Sequence, residues 1–396
     1  MLANAKRIVI KIGSSLLVDE TGQVRQEWLG ALAEDVLSLY RQDKQIIIIT
    51  SGAVALGRHV LRYGRRALSL EEKQAAASAG QAPLLFQWVY ALQFQLDSQL
   101  RNPITGQLPV KSDGTVDRGI RMVDWLKPAQ MLLTAGDLTD RRRYLNARNT
   151  IETLLAAGAI PVINENDTVA TAELRFGDND RLSACVAQMA GADLLILFSD
   201  IDGLYDADPN VHRDARFIGE VRDITADIER MAGGASSAVS SGGMITKIEA
   251  AKIATHAGCH MIIMNGHKNH PIERLKKGER HTVFPARESP LSARKHWIAG
   301  SVRPAGSVTV DDGAAKALAS GKSLLPAGVT SVEGRFERGD AVLIKNKGGK
   351  ALGKGLIAYA SADASRIKGK KSGDIEKILG FKGRGVLIHR DDMALE

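Results

Sequence analysis

Short β-branched apolar runs alternate with longer helical segments through the first 285 residues of this chain, and this alternation constrains the fold more than any other feature. Each run has the length of a buried strand. Strands that alternate with helices build a mainly parallel sheet with helices on both faces, so the sequence predicts an α/β fold. The predicted strands are residues 7–12, 46–49, 131–134, 160–163, 194–198 and 261–264.

Two segments between these strands carry further expectations. Residues 71–100 are rich in Ala, Gln and Leu, which predicts a long helix with a break near Gly80 and Pro83. Residues 102–119 contain two prolines and three glycines and show no period, which predicts a long surface loop or an insertion.

The pattern changes around residues 286–304, where turn residues flank a segment that we interpret as a linker. Beyond it, short strand-like runs are separated by glycine-containing turns, which predicts a small β-rich domain or barrel. One helical piece is expected at residues 313–319. The predicted strands of this part are residues 307–310, 329–336, 341–344, 355–359 and 386–389.

Positive charge is concentrated near the C-terminal end. The chain carries 53 Lys and Arg against 45 Asp and Glu, a formal net charge of +8, and residues 301–396 contribute +6 of that charge. A basic module either contacts nucleic acid through phosphates or is a folded domain with a lysine-rich surface. Charge alone leaves both interpretations open.

Composition excludes several classes of protein. Hydrophobic residues make up 44% of the chain, which excludes a mostly disordered protein. No apolar run approaches the about 18 residues that a membrane-spanning helix needs. Lys11 interrupts the first apolar stretch, which argues against a secretion signal. The two cysteines, Cys185 and Cys259, form no disulfide framework, and we expect a reducing, cytoplasmic location.

Four glycine-containing segments follow predicted strands or open predicted helices, at the edge where a parallel sheet places its ligands. Glycine lets the backbone approach a ligand closely, and a helix N-terminus offers free N–H groups to an anion. Two of the segments also bring a lysine, Lys11 and Lys247, so the set favours a phosphate site. The segments are residues 11–15, 51–53, 177–180 and 241–247.

Each of these features has a plainer explanation when it stands alone. A Gly-Ser turn is usually only a turn, and Asp180 has the position of a helix cap. The dinucleotide fingerprint GxGxxG is absent after the first strand, and the sequence has no HExxH motif and no paired CxxC motif. Five histidines lie in no triad-like context: His212, His256, His260, His267 and His270.

The motifs become specific as an ordered set. In sequence they are VIKIGSS (9–15), TSGAVALG (50–57), NENDTV (164–169), FGDNDRLSA (176–184), SDIDGLY (199–205) and SGGMITKIEAA (241–251). Together they resemble the bacterial glutamate 5-kinases, in family order, over residues 5–285. From about Gly306 the chain is similar to the PUA domain that many members carry, with the cues VTVDDGAAKAL (308–318), SLLPAGV (323–329) and HRDDM (389–393).

The resemblance implies the amino acid kinase fold, an αβα sandwich around a mainly parallel sheet, followed by a small β-rich PUA-like barrel domain. It implies a catalytic domain at residues 1–285, a linker at 286–305 and a PUA-like domain at 306–396. The implied reaction converts ATP and L-glutamate to L-glutamyl 5-phosphate and ADP, which is the first step of proline biosynthesis.

The resemblance also implies roles for individual residues. Lys11 and Lys247 match the two lysines that contact the transferred phosphoryl group, and Asp180 matches the aspartate that holds them. Ser51, Asp167 and Asn179 match the glutamate-binding positions. The ATP-binding positions match Lys11, Ser199, Asp200, Ser241, Gly242, Gly243, Met244, Ile245, Thr246 and Lys247.

Further expectations follow from the family. ATP is the co-substrate with Mg²⁺, for which we assign no protein ligand, and proline is the expected feedback inhibitor. We also expect a homo-oligomer, either a dimer or a tetramer, and a functional link to glutamyl phosphate reductase. RNA binding by the PUA-like domain stays open beside an architectural or regulatory role. The chain departs from the family pattern in Ser199, where Thr is usual, and in a longer stretch at residues 102–125.

Elementary chemistry agrees with this assignment. A carboxylate acceptor is already ionised at pH 7, so its attack on a phosphate needs no general base, and catalysis depends on positioning and charge neutralisation.

One alternative is a kinase of the same family acting on acetylglutamate, aspartate, carbamate or a nucleoside monophosphate. Asp167 favours a substrate with a free α-ammonium. The other alternative is an RNA-binding protein with a degenerate kinase domain, which the joint presence of Lys11, Asp180 and Lys247 argues against.

Overall fold

The strands of the first part of the chain assemble largely as the alternation predicts. A computed structural model describes residues 1–100, 126–169, 179–232, 243–301 and 304–395. The chain divides into two compact units, Met1–Thr139 with Ala147–Arg287 and Asp140–Asn146 with Glu288–Glu396.

Among the described residues, a seven-stranded sheet forms the centre of the first unit. Its order is β3-β4-β2-β1-β5-β8-β9, and neighbouring strands are parallel except for the antiparallel pair β8–β9. A two-stranded hairpin, β6–β7, lies outside this sheet. The strands are β1 (Arg7–Ile12), β2 (Gln45–Ile49), β3 (Lys127–Leu133), β4 (Ala159–Glu165), β5 (Leu194–Ser199), β6 (Leu204–Tyr205), β7 (Phe217–Ile218), β8 (His260–Asn265) and β9 (His281–Phe284).

Helices cover both faces of this sheet, which confirms the predicted α/β class. Alternate side chains of a strand point to opposite faces. Ile8 and Ile10 join one core with α2 and α4, whereas Val9 is buried on the opposite side, where α7 packs. The helices are α1 (Ser14–Leu17), α2 (Gln26–Tyr40), α3 (Ala53–Val60), α4 (Leu70–Leu100), α5 (Ala135–Thr139), α6 (Arg141–Ala156), α7 (Asn179–Ala190), α8 (Ala226–Ala232), α9 (Met244–His256) and α10 (Pro271–Lys276).

The break predicted in α4 is wrong, because the helix continues through Gly80 and Pro83. Glycine serves there as a contact surface. A Cβ added to Gly80 would lie 1.9 Å from the carbonyl oxygen of Ala53, and one added to Gly57 would lie 1.6 Å from that of Ala76. The two helices α3 and α4 therefore approach backbone to backbone, and this packing outweighs the poor helix propensity of glycine.

The second unit is β-rich. Among its described residues, five strands form a sheet of order β11-β10-β12-β13-β14, in which only the pair β10–β12 is parallel. Its core includes Val308, Phe336 and Ile388. The elements are α11 (Pro290–Ser301), β10 (Gly306–Val310), α12 (Asp312–Ala319), β11 (Val329–Gly334), β12 (Ala341–Lys345), β13 (Ala351–Leu356), α13 (Ser361–Ile367), α14 (Ile375–Leu379) and β14 (Met393–Leu395).

The segment predicted as a linker, residues 286–305, contains helix α11. Ser289 caps this helix, since its Oγ accepts a hydrogen bond of 3.2 Å from the Ser292 N–H. Ile298 packs against the buried Ala341 and Leu356 of the second unit. The domain boundaries at residues 285 and 305 stay a prediction.

The C-terminal strand prediction was partly wrong. Residues 386–389 form no strand, and Ile388 makes only a single bridge to Leu324. The strand that completes the sheet is β14, a few residues later.

The loop predicted at residues 102–119 lies outside the described residues. Within the described ranges, no helix combines the length and the hydropathy that crossing a membrane requires.

Candidate active site

The carboxyl ends of the central strands bring the polar motifs to one edge of the sheet. β1 lies between β2 and β5, and these three strands run parallel. The segments that follow them, beginning at Gly13, Thr50 and Asp200, therefore meet at the same edge. Helices α7 and α9 start at this edge too, because each runs back toward the beginning of the next strand.

Lys11, Asp180 and Lys247 form a buried cluster of three charged groups. The Lys11 Nζ lies 2.5 Å from Asp180 Oδ1, and the Lys247 Nζ lies 3.0 Å from Asp180 Oδ2. Asp180 is fully buried, and each lysine is 6% exposed. The side chains come from β1, from the first turn of α7 and from the first turn of α9. One carboxylate thus holds two ammonium groups side by side, as the family resemblance implies.

The charge state of Asp180 follows from its neighbours. Burial would raise the pKa of its carboxyl, but the Lys11 and Lys247 ammonium groups outweigh burial and lower that pKa from 3.8 to about 2. Asp180 is therefore ionised at neutral pH. Asp180 and the two lysines then carry a net charge of +1, which attracts an anion that approaches the lysines.

The start of α9 adds oriented N–H groups to this cluster. Gly243 precedes the helix in an extended conformation, and no described side chain caps the helix there. The Thr246 hydroxyl donates to Asp180 Oδ2 at 3.2 Å and lies 2.8 Å from the Gly243 carbonyl oxygen, which ties this first turn to the charged cluster. An uncapped N-terminus of a 13-residue helix attracts phosphate. Ser241 and Gly242 lie outside the described residues.

Asn179 links the charged cluster to the end of β2. It precedes Asp180 in α7, and its Nδ2 donates to the Thr50 carbonyl oxygen at 2.8 Å and to Ser51 Oγ at 2.8 Å. The same Nδ2 lies 3.0 Å from Oδ1 of Asn164, at the end of β4. Two of the three residues predicted to bind glutamate, Ser51 and Asn179, are therefore in direct contact.

Asp167 lies in a turn directly after β4 and is half-buried. The Val169 N–H donates to the Asn166 carbonyl oxygen at 3.2 Å and closes this turn. The turn follows β4, the strand that carries Asn164. Asp167 therefore lies at the edge of the sheet where Asn164 contacts Asn179. The predicted segment 177–180 is described only from Asn179 onward.

The predicted nucleotide residues Ser199 and Asp200 lie at the carboxyl end of β5, Ser199 as its last residue and Asp200 directly after it. The Ser199 hydroxyl donates to Asp200 Oδ1 at 2.8 Å, and the Asn265 side chain donates to the Asp200 carbonyl oxygen at 2.8 Å. Partial burial would raise the pKa of Asp200, but the Ser199 hydrogen bond and a backbone N–H outweigh it and lower that pKa. Asp200 therefore presents a charged carboxylate at the edge of the site.

Four residues of the site were not predicted from the sequence. Thr50 and Asn164 lie inside quoted motifs, but nothing in their spacing indicated that they contact Asn179. Gln81 accepts a 2.9 Å hydrogen bond from the Asn164 side chain, and Trp88 donates to the Thr50 hydroxyl at 3.0 Å. Gln81 and Trp88 lie on α4, in a segment without any motif. The sequence indicates a role for Gln81 and Trp88 only in that each carries a hydrogen-bonding group on an Ala-rich helix.

The donor set of the site bears on metal binding. Among the residues the structure describes, no three His, Cys, Asp or Glu side chains converge as a metal-binding group. The charged cluster is cationic on balance, which suits phosphate oxygens rather than a bare metal ion. A divalent cation that accompanies ATP fits this arrangement when the phosphates themselves carry it.

Comparison with known proteins agrees with this geometry. Residues 6–265 match the amino acid kinase family, and residues 306–379 match the PUA domain. The chain is 53% identical over 396 residues to glutamate 5-kinase of Paramagnetospirillum magneticum, covering 100% of this chain and 99% of the relative. It is 51% identical over 395 residues to glutamate 5-kinase of Nitrobacter winogradskyi, covering 100% of this chain and 97% of that relative.

A third relative, glutamate 5-kinase of Rhizobium etli, is 50% identical over 394 residues, covering 100% of this chain and 94% of the relative. These matches span both units, and they confirm the resemblance inferred from the motifs. The chain belongs to the amino acid kinase family and, within it, to the glutamate 5-kinases that carry a C-terminal PUA domain.

Proposed function

We propose that this chain transfers the γ-phosphoryl group of ATP to the side-chain carboxylate of L-glutamate, giving L-glutamyl 5-phosphate and ADP. The observation that carries the proposal is the buried cluster in which Asp180 pairs with both Lys11 and Lys247. The family relationship supplies the substrate class, since the full-length relatives are named glutamate 5-kinases.

The chemistry needs charge neutralisation more than proton transfer. An oxygen of the ionised carboxylate forms a bond to the γ-phosphorus while the bond from that phosphorus to the ADP oxygen breaks. Both reactants are anionic, so they repel each other. Lys11 and Lys247 reduce that repulsion by contacting the transferred group, and Asp180 holds both ammonium groups fixed in direction.

The nucleotide lies, in this proposal, against α9 and the end of β5. The first turn of α9, from Gly243 to Lys247, faces the phosphates, and Ser199 and Asp200 contact the nucleotide beside them. Ser241 and Gly242, which precede Gly243 in the sequence, belong to the same predicted nucleotide-binding motif. When bound to the nucleotide's phosphate oxygens, Mg²⁺ supplies further neutralisation of the developing charge.

Glutamate lies, in this proposal, at the ends of β2 and β4. The Asp167 carboxylate pairs with the α-ammonium of glutamate, and Ser51 and Asn179 hydrogen-bond to the same substrate. This arrangement distinguishes an amino acid with a free ammonium from acetylglutamate, whose amide carries no charge. It also disfavours a nucleoside monophosphate, because Asp167 would repel its phosphate.

Regulation and assembly form a second part of the proposal. Proline carries an α-ammonium, so it competes for the pocket at Asp167 and inhibits the enzyme. Residues 1–285 carry out the reaction, and residues 306–396 form a PUA-like domain with an architectural or regulatory role. The enzyme works as a homo-oligomer in the cytoplasm, and its acyl phosphate product is consumed by glutamyl phosphate reductase.

Hydroxylamine trapping tests the proposed activity. The purified full-length protein is incubated with ATP, Mg²⁺ and one acceptor at a time, and the acyl phosphate is trapped as a hydroxamate. We expect product with L-glutamate and background signal with acetylglutamate, aspartate or carbamate. UMP would give UDP and no hydroxamate, so UDP formation is measured separately for this acceptor and should be absent. A hydroxamate formed from acetylglutamate or aspartate, with none from glutamate, would show that the substrate assignment is wrong.

A further inference from the structure

The side-chain amide of Asn179 leaves only its carbonyl oxygen available to a ligand. Its Nδ2 lies 2.8–3.0 Å from three acceptors, Thr50 O, Ser51 Oγ and Asn164 Oδ1, which together take up its two N–H donors. A backbone carbonyl can only accept a hydrogen bond, so Thr50 fixes which end of the amide faces it. Within the described part of the chain, no group donates a hydrogen bond to Asn179 Oδ1. Asn179 therefore presents an acceptor to the site.

Asn164 is oriented by a second backbone group. The Glu165 N–H donates to Asn164 Oδ1 at 2.9 Å, so this atom is the oxygen and the other end of the amide is the donor. That donor end faces α4, where Gln81 Oε1 accepts its hydrogen bond at 2.9 Å. Asn164 is 3% exposed, so its NH₂ group depends on this partner rather than on bulk water.

We propose that Gln81 is a positioning residue for substrate recognition. By accepting from Asn164 it holds the Asn164 oxygen against Asn179, and so holds Asn179 Oδ1 where it accepts a hydrogen bond from the α-ammonium of the substrate. Gln81 acts through Asn164 and takes no part in phosphoryl transfer. This inference rests on the proposed function, because it takes Asn179 to be part of the glutamate site.

The contacts that α4 makes near Gln81 support a positioning role for this residue. The next residue toward the N-terminus is Gly80, where α4 touches the backbone of α3. About two helical turns further along α4, the fully buried Trp88 donates to the Thr50 hydroxyl. Two side chains of one helix thus brace the two strand ends that hold Asn179, one at β4 and one at β2.

The test compares three variants of the full-length enzyme. Gln81→Met keeps the length and helix propensity of the side chain but removes the acceptor, so the KM for glutamate should rise about tenfold, the size of one lost hydrogen bond. The KM for ATP and kcat should stay within about twofold, because the charged cluster is untouched. Gln81→Glu retains an acceptor oxygen and should restore a near-normal KM for glutamate.

The matched control makes the same substitution elsewhere on α4. Gln87 accepts a hydrogen bond from the Gln26 side chain, at an exposed contact with α2 and away from Asn164. Gln87→Met therefore also removes an acceptor from this helix, but it should leave the KM for glutamate unchanged. A rise in that KM equal to the rise in Gln81→Met would show that any loss on α4 has this effect, and would overturn the inference.

A substrate analogue shows whether the effect passes through the ammonium. Glutarate is glutamate without its α-amino group, so its inhibition constant should be the same for the wild type and for Gln81→Met. An unchanged KM for glutamate in folded Gln81→Met would overturn the inference. An equal loss of affinity for glutarate, or no recovery in Gln81→Glu, would overturn it as well. A wild-type enzyme that fails to phosphorylate glutamate would instead refute the proposed function, before any variant is compared.

Discussion

Gly80 lies so close to Ala53 that no side chain fits between the two helices that carry them. A Cβ at Gly80 would stand 1.9 Å from the Ala53 carbonyl oxygen. Ala53 opens α3 directly after Ser51 and Gly52, and Gly80 precedes Gln81 on α4. The backbone contact therefore sets the distance between the turn at Ser51 and Gly52 and the helix that carries Gln81.

The first prediction concerns this contact. In an isolated helix, Gly80→Ala would stabilise by about 1 kcal/mol, but here the added methyl group forces α3 and α4 apart. We expect the free energy of unfolding to fall by about 2 kcal/mol or more and the KM for glutamate to rise. Ser78→Ala, an exposed change in the same helix, is the control and should not destabilise. Thermal and urea unfolding measure both, and equal stability of Gly80→Ala and wild type would contradict the proposed contact.

The second prediction concerns the lysines. We propose that both lysines contact the transferring phosphoryl group. Lys11→Met or Lys247→Met would remove one charge-assisted contact, so kcat should fall about a hundredfold, which corresponds to about 3 kcal/mol. The comparison variant is Lys252→Met, because Lys252 lies on the same helix as Lys247 and forms a surface pair with Glu229 at 2.7 Å. That variant should keep normal kcat. Steady-state rates at saturating ATP and glutamate measure the effect, and near-normal kcat in a folded Lys11→Met protein would refute its assignment.

The third prediction is a pH dependence of stability. The pKa of Asp180 is lower in the folded protein, about 2, than the 3.8 of an exposed carboxyl. The unfolded chain therefore binds a proton first as the pH falls, and the stabilisation by ionised Asp180 is present above about pH 4 and is lost toward pH 2.

Asp180→Asn cannot show this loss, so the stability difference between wild type and variant should shrink by about 2 kcal/mol between pH 5 and pH 2. Urea unfolding of both proteins across this range measures the difference. A constant difference at every pH would mean that the Asp180 carboxylate is not held ionised by Lys11 and Lys247.

The fourth prediction concerns Asp167. Asp167→Asn keeps the size of the side chain but removes the charge that we pair with the substrate ammonium, so the KM for glutamate should rise ten- to a hundredfold, as for a lost charged hydrogen bond of about 1.5–3 kcal/mol. The KM for ATP should change little, and inhibition by proline should weaken in parallel. Asp43→Asn, which lies before β2 at the opposite edge of the sheet, should alter none of these values.

A different result would assign Asp167 a purely structural role. If the side chain only braced its turn, the melting temperature of Asp167→Asn would fall and both KM values would drift together. Measuring both KM values, the proline concentration for half inhibition and the melting temperature on one preparation separates these outcomes. An unchanged KM for glutamate in a stable variant would remove Asp167 from the site.

The sheet was predictable because its signal is local. Each central strand is a short apolar run, and no end of a predicted strand differs from the observed end by more than four residues, with β1 unchanged at Arg7–Ile12. The misses come from packing between distant segments. The uninterrupted α4 depends on its contact with α3, and the short antiparallel β9 depends on its pairing with β8. Both contacts join segments that are distant in sequence, so the local residue pattern does not predict them.

The candidate site also has a part that the sequence predicted and a part that it did not. Lys11, Asp180 and Lys247 were predicted as a set from family motifs, and the structure brings both ammonium groups within 2.5–3.0 Å of the Asp180 carboxylate. The amides that orient Asn179 were not predicted as a network. Gln81 belongs to no motif, and its function is visible only once its oxygen is found beside Asn164.

In the proposed reaction, the side-chain carboxylate of glutamate attacks the γ-phosphorus while Lys11 and Lys247 neutralise the transferred group. Glutamate labelled with ¹⁸O in the side-chain carboxylate alone tests it most directly. After turnover with ATP and cleavage of the acyl phosphate by hydroxylamine, which attacks the carbonyl carbon, the bridging oxygen leaves with phosphate. We expect the released phosphate to carry one ¹⁸O atom in the wild type, and we expect Lys11→Met to form such phosphate about a hundredfold more slowly. Unlabelled phosphate from the wild-type reaction would contradict it, since the γ-phosphoryl group would then have passed to another acceptor.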